Sequence, residues 1–137
     1  MDFNNILVMI DSGDEYKPMR PLLEIDNSQS SDVESFQNST LRPILKMQNE
    51  AIIHVFRSHL AKKKLPYKEL KIEKKKLLIH EQLKSDRSLK QFYIKSTLTL
   101  FTVQEHEFYA NHKSEINKRI TTLLIERLSS QAEKISL

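Results

Sequence analysis

Between residues 41 and 60 the apolar positions recur three and four apart. Leu41, Ile44, Leu45, Ile52, Val55, Phe56 and Leu60 fall on one face of a helix. Ser39 or Thr40 reads as its cap, and Pro43 falls in the first turn, where a missing N–H costs nothing. Lys62, Lys63 and Lys64 suit its negative end, and Pro66 stops it. The predicted helix is long, about 24 residues at 1.5 Å each, or roughly 36 Å.

Further helical segments follow. A more polar one from about Glu69 to Leu83 offers Leu70, Leu77, Leu78, Ile79 and Leu83 to a core. Asp86 caps the next, to about Leu100, with Leu89, Phe92, Tyr93, Ile94, Leu98 and Leu100 as its apolar set. Thr102-Val-Gln-Glu105 has the spacing of a capping box and opens a short helix with Val103, Phe108 and Tyr109. The last helix, from Asn111–Ser114 to about Lys134, carries Ile116, Ile120, Leu123, Leu124 and Leu128 at helical spacing. Upstream, Ser31-Asp-Val-Glu34 is a second capping-box pattern before a short helix that places Val33 and Phe36 on one face.

Composition sharpens this. The chain of 137 residues has one glycine, Gly13. Phosphate loops and strand turns depend on glycine, so the fold predicted is all-α: a single small bundle of about five helices, one short N-terminal, one long and three further. The helical domain spans 31–137, behind a flexible acidic arm over 1–30. In that arm Pro18 and Pro21 oppose regular pairing, and the polar Asp26–Asp32 stretch reads as a linker. Ile6-Leu7-Val8-Met9-Ile10 is apolar within it. It reads either as a strap over the core or as a motif that adds to a partner's sheet edge. No stretch approaches the roughly 18 apolar residues of a membrane span, and no secretory leader pattern opens the chain. No membrane partner and a cytoplasmic setting are therefore expected.

Charge is divided along the chain. Residues 1–40 hold eight acids against two bases, a net of −6, and residues 41–137 hold twenty bases against ten acids, a net of +10. Bases concentrate at Lys62, Lys63, Lys64, Lys68, Lys71, Lys74, Lys75, Lys76, Lys84, Arg87 and Lys90. This set reads as a solvated face, or as a face for nucleic acid or another acidic partner. One arginine among eleven bases serves base reading poorly, and Tyr67 alone interleaves for stacking. The segments around Thr102–Tyr109 and Ser114–Leu128 are spaced like a helix-turn-helix, without the usual glycine in the turn.

Cysteine is absent, which removes disulfides and thiolate chemistry. His80-Glu81 and His106-Glu107 each lack the second histidine of a helical zinc site, so the five histidines read as surface or core-edge residues. No metal ligand, cofactor or catalytic residue is assigned.

Asn38-Ser-Thr-Leu-Arg-Pro-Ile-Leu-Lys-Met-Gln-Asn49, Phe101-Thr-Val-Gln-Glu105, Asn117-Lys-Arg-Ile120 and Leu124-Ile-Glu-Arg-Leu128 resemble a family of short bacterial proteins, typical of the Bacteroidetes, that carries the name glyoxalase. The resemblance covers roughly residues 33–131 and excludes the arm. It hands over no functional residue. The name implies metal-dependent chemistry on strands or a His-x-His-x-Asp-His motif, and the chain contains neither pattern.

Sequence alone does not determine the function. The reading it favours is a non-catalytic helical interaction or regulatory module that binds a protein partner or itself. Its alternatives are nucleic-acid binding through the basic face of residues 62–90, and an enzyme matching the glyoxalase label.

Overall fold

The computed structural model describes residues 16–21 and 31–136. Among them the chain is helical, without a strand: all-α, as expected. In chain order, α1 is Asp32–Phe36, a π turn spans Gln37–Leu41, α2 is Arg42–Met47 and α3 is Asn49–Lys62. Then follow α4 (Ile72–Ser85), α5 (Arg87–Leu98), α6 (Val103–Asn111), α7 (Lys113–Ser130) and α8 (Ala132–Ile135). The apolar pentapeptide Ile6–Ile10 lies outside the described residues.

The first half departs from expectation in an instructive way. No cap separates a short helix from a long one. α1 runs through the π turn into α2, with the Arg42 N–H donating five residues back to the Gln37 carbonyl. Pro43, in the midst of helical chain, cannot donate to residue 39, and its ring crowds that carbonyl. A widened turn just upstream absorbs both conflicts without ending the helix. Ser39 therefore does not cap; its hydroxyl donates to the Ser35 carbonyl at 2.6 Å. Thr40 does not cap either and turns inward. A one-residue break at Gln48 precedes α3, so the 24-residue helix is in fact two. The last expected helix is likewise broken at Gln131.

Three of the expected caps formed, the Ser31 box in its serine half alone. Ser31 Oγ accepts from the Glu34 N–H, Asp86 Oδ1 from the Leu89 N–H, and Thr102 with Glu105 closes both halves of its box. α3 ends in a Schellman arrangement: the Leu65 N–H bonds the Leu60 carbonyl and the Lys64 N–H the Ala61 carbonyl. Lys64 takes the left-handed position, φ 54°, where glycine is usual.

The core gathers Leu41, Ile44, Leu45, Ile53, Phe56, Ile79, Leu83, Phe101, Ile116, Ile120, Leu124 and Leu128, all fully buried. α7 is its spine and inserts the predicted stripe between α4, α5 and the 37–47 segment. Three expected core residues face outward: Leu77 is 49% exposed, Phe92 53% and Val103 44%. On α4 the inward face is set by Ile79 and Leu83, four apart. Extending it one turn back reaches Lys75, not Leu77, and Lys75 is buried. On α5 the inward face is Leu89, Tyr93 and Thr97, which turns Phe92 out.

Within the stretch read as an arm, Lys17–Met19 form a 3₁₀ turn and the Arg20 side chain is buried against the helical domain. Its guanidinium donates to both carboxylate oxygens of Glu105, 2.9 Å each, and to the Leu100 carbonyl.

Candidate functional site

Helical periodicity on three elements aims one set of side chains at a common trough. On α5, Arg87, Lys90, Ile94, Lys95 and Leu98 recur at helical spacing and share a face. On α7, Lys113, Asn117, Lys118, Thr121 and Thr122 do the same on the facing wall. Lys84 and Ser85, at the end of α4, close one end, and Tyr109 of α6 lies between the walls. The cleft has a volume of about 1220 Å³. Small-molecule pockets run to roughly 300–1,000 Å³, so this is room for a segment of a polymer.

Its electrostatics are one-sided. Lys84, Arg87, Lys90, Lys95, Lys113 and Lys118 line it, and no carboxylate stands among the described lining residues. Arg87 and Lys90 lie in the first turn of α5, and Lys113 opens α7. A base at a helix N-terminus opposes the macrodipole and costs a few tenths of a kcal/mol or more, so each adds to a field the helix ends already make positive. Local preference and placement conflict here, as they do at sites kept for binding.

The nearest acid by sequence, Asp86, is committed elsewhere. Its carboxylate accepts the Leu89 N–H at 3.0 Å and lies 3.8 Å from both His59 Nε2 and Lys63 Nζ. The Leu89 N–H, helped by His59 and Lys63 against the cost of burial, holds its pKa below the usual carboxylate range. The floor between the walls is apolar and aliphatic: Ile94 and Leu98 are half-buried and packed on the core. Tyr109 is buried beside them, and its hydroxyl donates to Asn117 Oδ1 at 2.8 Å, tying α6 to α7. Burial pushes its pKa up.

The eleven bases singled out from the sequence therefore separate. Lys84, Arg87 and Lys90 enter the cleft. Lys62, Lys63 and Lys64 are exposed at the end of α3, Lys68 and Lys71 in the connection to α4, and Lys74 and Lys76 on α4. Lys75 belongs to no surface patch. It is 5% exposed, with Nζ 3.3 Å from Glu133 Oε2 and 5.5 Å from the centre of the Tyr67 ring. Lys95, Lys113 and Lys118 complete the cleft and lie outside the 62–90 stretch. The signal that could have found them is the helical register of α5 and α7, which sets them on one face with Leu98 and Asn117.

The histidines disperse. His59 meets Gln82 Oε1 at 2.8 Å, His106 packs edge-on to Phe101, His112 stacks on Phe108, and His54 and His80 are exposed. Among the described residues no group of three His, Cys, Asp or Glu is placed to hold a metal ion. No described helix is long and apolar enough to cross a membrane. Compared with protein-family models, with curated proteins and with solved structures, the chain has no match.

Proposed function

We propose that this chain is a non-catalytic helical interaction module whose cleft takes an acidic amphipathic segment of a protein partner. One observation carries the reading: cationic walls without a carboxylate stand over the aliphatic floor of Ile94 and Leu98. An amphipathic helix laid in a groove buries its apolar stripe and presents its flanks to the rims. Acidic flanks find lysines on both sides here, and the same field speeds encounter. The test is a labelled synthetic helix with leucines at i, i+3, i+4 and i+7 and glutamates elsewhere, followed by fluorescence anisotropy. It should bind, and charge reversal on both walls (Lys95→Glu with Lys118→Glu) should weaken it at least about tenfold. Equal binding of a peptide with the same composition in scrambled order would remove the apolar floor from the argument and sink the reading.

A second reading, nucleic-acid binding, is favoured by a different observation. Lys62, Lys64, Lys68, Lys71, Lys74 and Lys76 are exposed, with no carboxylate within 4 Å among the described residues. Lys76 and Lys84 lie eight residues apart on the exposed face of α4 and lead toward the cleft. Backbone phosphate contacts would make duplex DNA or RNA binding fall by orders of magnitude between about 50 and 200 mM salt. Absence of binding at the low end would dismiss it.

A further inference from the structure

The structure fixes where the N-terminal stretch meets the domain. Arg20 is held by the Leu100 carbonyl and by Glu105. Leu100 is two residues beyond Leu98, and Glu105 is one helical turn before Tyr109; both Leu98 and Tyr109 line the cleft. The anchor therefore stands at the cleft's end. Lys17–Met19 are wound in a 3₁₀ turn, so the reach is counted from Tyr16: the six residues back to Ile10 can span at most roughly 20 Å. The α5 wall, Arg87–Leu98, is 12 residues and so about 18 Å long. Fully extended, that reach matches the length of the trough.

The chemistry of that stretch complements the cleft. Residues 1–15 hold Asp2, Asp11, Asp14 and Glu15 and no lysine or arginine, and they enclose the apolar Ile6-Leu7-Val8-Met9-Ile10. An apolar run flanked by acids is the inverse of an aliphatic floor flanked by bases. We infer that the cleft is occupied by this chain's own residues 2–15, so that the pentapeptide covers Ile94 and Leu98, the acids face the lysine walls, and a partner's acidic segment must displace it. The inference rests on the reading of the cleft as a site for acidic amphipathic segments. Tethering makes the occupant effective even when its intrinsic affinity is modest. A short linker supplies an effective concentration of around 1 mM, and against a dissociation constant of about 0.1 mM this weakens an external ligand roughly tenfold.

The chain contains no cysteine, so Ser12→Cys gives a unique position for a nitroxide label on the full chain. Broadening of the Ile94, Lys95 and Leu98 amide signals that is unchanged on dilution is the expected result. No broadening at the cleft would overturn the inference. Broadening in a mixture of spin-labelled and separately isotope-labelled chains would also overturn it, since the occupant would then come from a second copy. Alongside, the synthetic acidic helix is titrated into wild type and into the full chain carrying Ile6→Ser, Val8→Ser, Asp11→Asn and Asp14→Asn. Binding about tenfold tighter to the substituted chain supports displacement. Equal binding to both overturns the inference but leaves the cleft reading in place. Binding to neither removes the reading and the inference with it.

Discussion

Arg20 and Glu105 meet as a two-pronged ion pair, each prong 2.9 Å long, with only 5% and 10% of their side chains exposed. Glu105 serves three segments at once. Besides Arg20, it accepts from the Thr102 N–H at 2.9 Å, which starts α6, and from Thr40 Oγ1 at 3.0 Å, which fastens the π turn. Removing one partner leaves the other charge buried and unmatched, so Glu105→Ala should cost on the order of 3–5 kcal/mol in urea unfolding. Arg20 also keeps a buried Nε without an acceptor among the described residues, which offsets part of the pair's gain. Arg20→Met with Glu105→Met should accordingly be far less damaging than Glu105→Ala alone. A double variant as unstable as the single one would refute this account of the pair.

The same residue sets an acid limit. Burial works to raise the Glu105 pKa, but the hydrogen bond from Arg20, the Thr102 N–H, the Arg20 charge and Thr40 together outweigh it and leave it below the ordinary value of 4.5. With the folded pKa under the unfolded one, the stabilisation is complete above the ordinary carboxylate range. It is lost as pH falls through the lowered folded value. Stability measured from pH 7 downward should therefore drop below about pH 4.5 more steeply in wild type than in Glu105→Gln, which has no proton to take up at that site. Parallel curves would mean that another carboxylate governs the acid limb.

What the sequence disclosed was local. Ser31, Asp86 and the Thr102–Glu105 box each bond a backbone group three residues away, so residue spacing suffices to see them. The core stripe of α7 was legible for the same reason: Ile116, Ile120, Leu124 and Leu128 are all on one face and all buried. What stayed hidden depends on distance in the chain. Nothing near Arg20 announces a partner 85 positions away. Pro43 reads as a helix start until the π turn shows it inside one. The cleft draws on α4, α5, α6 and α7, so a window of consecutive bases captured three of its lysines and arginines and added Lys75, which α4's register turns inward.

Lys75 is a buried cation whose carboxylate partner is not buried: Glu133 has 69% of its side chain exposed. Removing the ammonium leaves no stranded charge, while the aliphatic stem still covers Tyr67. Lys75→Met should change stability by less than about 1 kcal/mol in either direction. Lys75→Ala should cost more, because it deletes the stem. If methionine proves as harmful as alanine, the ammonium contributes more than its geometry implies.

Lys64 holds φ 54° at the end of α3, a conformation that costs a residue with a Cβ about 1–2 kcal/mol. Glycine carries no such penalty but gives up more freedom on folding. The net expectation for Lys64→Gly is a gain of about 0.5–1 kcal/mol, read as a higher urea midpoint with an unchanged slope. A loss would show that the exposed lysine does more for the Schellman turn than its backbone strain takes away.

Charge reversal separates the cleft from the general basicity of the chain. Lys95 and Lys118 stand on opposite walls, whereas Lys62 and Lys74 are exposed outside the cleft, so two double variants change net charge equally. If a ligand is drawn by the whole surface, Lys95→Glu/Lys118→Glu and Lys62→Glu/Lys74→Glu weaken it alike, and the difference fades with salt as long-range fields are screened over about 8–10 Å. If the ligand seats in the trough, only the first pair changes its dissociation rate, because contacts made in the bound state govern escape while distant charge governs encounter. The expectation for the acidic amphipathic peptide is an increase in dissociation rate of at least about tenfold for the wall variant. The outer variant should show a smaller, salt-sensitive fall in association rate. Duplex nucleic acid lying across α4 would reverse that order, with Lys62 and Lys74 the more costly pair to lose.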